Sequence, residues 1–190
     1  PSTERRTIPG LRLDGDSFDE LQDYSNTIFT GPVIFRNVRF TVGCKFDGAI
    51  FQERVNFSNV QSLTAKGAST SFIGCRFEKI ARFDRSTLYL ANFSNAAFEG
   101  VASFRNVRFL ASARFDSAKF REPATFIDAE FNGLGSFNEV AFAKSATFTG
   151  AVFRYWLSHA RFNKSSFGEL AGFDRCQFSG LAAFTEAVFK

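Results

Sequence analysis

The 190-residue chain contains no methionine, one histidine, one tryptophan, three cysteines and four prolines. A single histidine removes most histidine-based metal and acid–base schemes. The cysteines, Cys44, Cys75 and Cys176, are odd in number and widely separated, which argues against a disulfide framework and against a metal site with close ligand spacing. No stretch approaches the ~18 consecutive apolar residues of a membrane span, because charged or polar residues interrupt every few positions. Pro1–Arg6 is followed by no apolar segment, so no secretory leader is expected there, and a cytoplasmic setting is the expected one. The missing initiator and the absence of methionine fit a processed chain or a piece of a longer one. The net charge of +4, from 23 Lys+Arg against 19 Asp+Glu, is too small and too scattered to name nucleic acid as a partner.

What is abundant is phenylalanine, 28 residues of it. From Phe35 the positions run 35, 40, 46, 51, 57, then 72, 77, 83, then 93, 98, 104, 109, 115, 120, 126, 131, 137, 142, 148, 153, and again from 162 to 189. Steps of five and six alternate, giving an eleven-residue unit that extends backwards through Phe29, Tyr24, Phe18 and Leu13. Only residues 1–12 fall outside it, and these are expected to form an N-terminal cap or tail to a repeat domain of 13–190. The residue two before each Phe is nearly always small, as at Val33, Cys44, Ala49, Ala81, Ala102 and Ala113. On an extended chain these two positions share a face, and the residue between them points the other way. That outward set includes Arg39, Lys45, Arg76, Arg82, Arg108, Arg114, Lys119 and Arg161. Turn-forming pairs such as Asp-Gly, Ser-Asn and Arg-Asn separate the extended pieces. A mean spacing of 5.5 fits no helix. The pattern describes a coil of short strands with one large and one small inward residue per side.

Segments such as Ala113–Phe126 resemble the pentapeptide-repeat family, with its order of small, variable, large apolar, turn, turn. The likeness covers residues 13–190, with one extra residue on every second side and Phe in place of the commoner Leu. The resemblance implies an all-β fold, a right-handed quadrilateral β-helix (solenoid) of about eight coils of roughly 22 residues, stacked ~4.8 Å apart into a rod of ~40 Å. Such a rod has open ends. The last unit stops at Phe189-Lys190 without a polar cap, so continuation of the chain and a homodimer through the C-terminal coil are two ways to cover that edge.

Catalytic chemistry finds little support. The three cysteines occupy inward small positions and read as inert core thiols. His159 lies in Arg154–Ala160, where the usual step from Phe153 becomes nine residues, and no nucleophile or carboxylate is arranged beside it. No recurring carboxylate pair or phosphate-cradling glycine loop is present. Accordingly no catalytic residue, cofactor or metal is expected, and the protein reads as a non-enzyme. Basic residues at outward positions interleave with acids and hydroxyls and read as a solvated surface.

One edge of the rod stands out. Successive units place their second corner on opposite edges. The two residues after the second Phe of even units include Glu53, Glu78, Lys79, Glu99, Arg121, Glu122, Lys144 and Glu169, whereas those of odd units include few charges. Every irregularity of the repeat also falls in odd units: around Leu63–Ser71, at Leu88–Ala91 and at Tyr155–Leu157. The odd edge thus carries Tyr89, Leu90, Leu110, Leu134, Tyr155, Trp156 and Leu157 as candidates for binding a protein partner. The leading expectation is a rigid interaction scaffold acting through that edge. The family resemblance adds a second, imitation of DNA to bind a topoisomerase, against which the positive net charge counts. A third is an accessory or assembly domain of a larger chain.

Overall fold

A computed structural model describes residues 5–63, 69–154 and 160–190. Its secondary structure is all β: four parallel sheets of nine, eight, eight and eight strands, nearly all strands two residues long. We call the sheets faces A, B, C and D, in the order the chain first visits them at Thr7–Ile8, Leu11–Asp14, Ser17–Phe18 and Gln22–Asp23. Each strand pairs with the strand of the same face one coil later, typically 22 residues on, as in Ala97↔Lys119 and Lys119↔Ala141. The coil is therefore four-sided and about eight coils are stacked, as the spacing predicts. Residues 7–12 supply a face A strand and the start of a face B strand, pairing Thr7 with Ile28 and Leu11 with Val33, so they cover the second coil in the form of a coil.

Two kinds of corner alternate. Those from B to C and from D to A are tight turns, in most of which the Phe carbonyl accepts from the amide three residues on, as from Ala118 to Phe115 at 2.9 Å. The third residue of each turn is left-handed, the signature of a type II turn. Gly48, Gly74 and Gly150 fill some of these sites and Asn26, Asn59 and Asn106 others, but Arg85, Ser117, Glu139, Lys164, Arg175 and Glu186 also hold φ between +55° and +59°. A residue with a Cβ pays about 1–2 kcal/mol there. The A-to-B and C-to-D corners are three-residue bends, and these hold the extra residue of every second side.

Inside, the large residues form columns. On face D, Tyr24, Phe46, Phe72, Phe93, Phe115, Phe137, Phe162 and Phe184 stack at 4.8–5.2 Å with nearly parallel rings. Face A is occupied by a similar column from Phe29 to Phe189. Columns B and D meet across the core edge to face, as at Phe104–Phe115 (5.2 Å, 89°) and Phe115–Phe126 (5.3 Å, 89°). Each such pair adds about 0.5–1.5 kcal/mol beyond the area it buries. Ala and Val two residues before each Phe leave the space the rings need, and most are fully buried. Column C is broken: Ser62 and Leu88 sit between Phe40 and Phe109, and the buried Ser62 hydroxyl has no partner among the described residues. At the last coil, Phe184 is half-buried and Phe189 is 55% exposed.

Phe115→Ala removes a ring that packs against six others and should lower unfolding free energy by about 3–5 kcal/mol in a denaturant titration. Lys164→Gly, at a left-handed turn site, should instead raise it by about 0.5–1 kcal/mol.

Candidate functional site

The C–D edge is built from the three-residue bends that follow face C. Backbone bonding defines two columns along it. Leu110 donates its amide to Leu88 O and Ala111 to Tyr89 O, both at 2.8 Å, which sets Leu110 over Tyr89. Thr70 donates to Leu90 O and Ala113 to Leu134 O, also at 2.8 Å, which puts Leu90 and Leu134 in the row just before face D, with Ser112 between them. The structure thus brings Tyr89, Leu90, Leu110 and Leu134 to one edge within three successive coils. All four are half-buried rather than exposed. Tyr155, Trp156 and Leu157, with His159, lie outside the described residues.

The edge also carries apolar residues that the two-residue reading of each corner passes over. Leu21, Val42 and Leu181 occupy the second and third corner positions and are more exposed than the four named above, at 41%, 39% and 68%. The opposite, A–B edge has Ile80, Val101 and Leu170 at its third position, 41%, 38% and 72% exposed. The two edges therefore differ in charge more than in apolar exposure. The signal that finds these residues is the extra residue of each long side, which always falls at the end of the bend.

The register confirms where the repeat is irregular. Face A steps from Ile50 to Arg76 and from Ala141 to Ser166 instead of the usual 22 residues, and both additions fall between faces C and D. The shortening at Leu88–Ala91 falls there too. One further irregularity lies elsewhere: in the first coil the A–B bend is only Pro9-Gly10. Gly31 above it could carry no side chain, since a Cβ would lie 1.8 Å from Pro9 O. Beside the edge, a groove of about 410 Å³ runs from Leu90 across Asn92 and Ser71 to Ile73, Asp47 and Lys45. Asp47 is already engaged there, accepting from the Ser71 hydroxyl and from Ile73 N.

The three thiols pack among the coils. Cys44 and Cys75 are buried, and Cys176 is half-buried. Cys75 Sγ donates to Phe46 O and Cys176 Sγ to Phe148 O, both at 2.8 Å, so each closes a bond to the coil below. Burial pushes the Cys44 thiol up to about 12 and raises Cys75 and Cys176 as well. No group of three or more metal-ligating side chains occurs among the described residues.

A sequence profile described as "Pentapeptide repeats (9 copies)" matches residues 24–62 and 67–108. No curated protein matches the chain. Among solved structures it is similar to two trypsin-treated variants of QnrB1, described as a plasmid-mediated fluoroquinolone resistance protein. Both are 14% identical to it. One covers 95% of this chain and 90% of that chain at a TM-score of 0.33, the other 97% and 91% at 0.32.

In the native protein, Cys44 and Cys75 should resist iodoacetamide at neutral pH while Cys176 reacts slowly, and denaturant should expose all three, as read by mass spectrometry. The folded-state pKa of Cys44 lies above the ordinary thiol value of 9.0. Its contribution to stability is therefore complete below pH 9 and is lost as pH rises towards about 12, because only the unfolded chain can ionise there. Cys44→Ala should flatten that alkaline decline in melting temperature.

Proposed function

The chain belongs to the pentapeptide-repeat family, and we propose that it is a non-enzymatic rigid rod that holds a protein partner along its C–D edge. The observation that carries this reading is the concentration of departures on that edge. From the second coil onward every change in repeat length falls there, and Tyr89, Leu90, Leu110 and Leu134 stand half-buried between the two insertions. Tyr155, Trp156 and Leu157 belong to the second insertion by sequence, and aromatic and large aliphatic residues are the types that anchor interfaces. A core stacked coil on coil gives the edge a fixed geometry, so a partner meets side chains already in place and little ordering entropy is lost.

Imitation of duplex DNA, the other role implied by the family resemblance, calls for a continuous negative stripe. Here Glu99 lies between Arg76 and Arg121 on one side of the rod, and Glu130 between Arg108 and Arg154 on another. This alternation favours the edge reading. An accessory role within a longer chain would use the same surface.

The test compares proteins retained from source-cell lysate by the wild type, by Leu110→Glu with Leu134→Glu, and by Ile80→Glu with Val101→Glu on the opposite edge. A protein held by the first and third at equal levels and reduced at least about tenfold by the second supports the proposed edge, since burying one unpaired carboxylate costs that much or more. Equal retention by all three removes the C–D edge from consideration.

A further inference from the structure

Face B carries a cluster of arginines that the edge reading does not use. Register places Arg12, Ile34, Asn56 and Arg82 in one outward column over four successive coils. Arg36, two residues beyond Ile34, points to the same side towards the B–C corner, and Arg54, two residues before Asn56, flanks it towards the A–B corner. The four arginines form a diamond around Ile34 and Asn56, and they line a groove of about 230 Å³ with no carboxylate in its wall. Ile34 is outward-facing yet only 5% exposed, so neighbouring side-chain stems lie over it.

None of the four guanidinium groups forms an ion pair among the described residues, although six ion pairs occur elsewhere on the rod. The nearby carboxylates are otherwise placed. Asp14, the register partner of Arg36, accepts from Asn37 Nδ2 at 3.1 Å. Asp84 accepts from the Ser103 hydroxyl and from Arg105 N. Glu53 precedes Arg54 but makes no ion pair with it among the described residues. Four unneutralised positive charges held on stiff, ladder-bonded strands repel one another, a standing cost unless an anion is present.

We propose that this groove binds an oligophosphate, an anion with two or more linked phosphoryl groups. Guanidinium is the side chain best suited to bidentate contact with phosphate oxygens. The outer arginines, Arg12 and Arg82, stand three coils apart, about 14 Å at the backbone, which is too wide for one phosphate and suits a short chain of them. The groove lies below the ~300 Å³ at which pockets for drug-sized ligands begin, in keeping with a small, highly charged occupant. Ile80, 41% exposed at the rim, offers an apolar shelf for a nucleoside attached to that chain.

The experiment is isothermal titration of the protein with tripolyphosphate and with ATP, free of divalent cations and at low ionic strength, alongside thermal melting. Three proteins are compared: wild type, Arg36→Gln with Arg54→Gln, and Arg39→Gln with Arg161→Gln, which removes the same charge from faces C and D. The expected result is one-to-one binding by wild type and by the control. The groove variant should bind at least about tenfold more weakly, the size of one lost charged hydrogen bond. That variant should melt no lower than wild type without ligand and lose the ligand-induced rise in melting temperature. Equal affinity for the two anions supports recognition of the phosphate chain alone, and tighter binding of ATP supports a nucleoside on Ile80. The proposal is overturned if neither anion binds or if both variants weaken binding equally.

Discussion

A parallel ladder closed on itself every 22 residues sets each inward side chain directly above its counterpart, ~4.8 Å away. That distance is close to the separation at which flat rings stack, and the columns on faces A and D keep centroids between 4.6 and 5.2 Å over most of the rod. Phenylalanine is therefore the large residue that satisfies the backbone spacing and the packing together. The remaining composition follows from it. A ring on each side leaves room for only a methyl or a short branch two residues earlier, which is why Ala and Val recur there and why Cys75, Cys176, Ser86 and Ser165 can take their place. Gly135 shows the limit: a Cβ there would meet the Phe153 ring at 2.8 Å.

Much of this architecture was legible because its period is short and its large residue almost invariant. The alternation of five and six residues predicts two kinds of corner, and the structure has two. The first coil was harder to read because Ile8, Leu11 and Leu13 take the inward places and no Phe marks them. The corners were read only in part, since the third residue of each bend, where Leu21, Leu181 and Ile80 stand, carries no recurring residue type. The arginine groove was illegible for a different reason. Arg12 and Arg82 precede inward residues, Arg36 follows one, and Arg54 ends a bend, so the four occupy three different repeat positions and become neighbours only when four coils are stacked. Periodicity reveals what each coil has in common, whereas a binding surface is made from what differs between coils.

This separation also organises the electrostatics. The core supplies stacked packing in nearly every coil, so outward positions are released from folding constraints and can be patterned. Along one side Arg76, Glu99 and Arg121 alternate in sign, and Lys144 pairs with Glu169 at 2.8 Å. Exposed pairs of this kind contribute little to stability, about 0–1 kcal/mol each. Their effect is to neutralise those sides, whereas the four arginines of the face B groove have no such partner among the described residues.

The two insertions between faces C and D leave the ladder intact on either side of them. Gln61 and Ser62 pair with Thr87 and Leu88 in ordinary register, and Thr70 and Ser71 do so with Ala91 and Asn92, although the intervening coil is longer than its neighbours. The length of that bend is thus uncoupled from the pitch of the rod. A foreign segment spliced into any C–D bend would be carried at a height fixed in steps of one coil, ~4.8 Å, and several such segments would be held in a set order and spacing. The rod is in this sense a ruler whose graduations are the coils and whose one writable margin is the C–D edge.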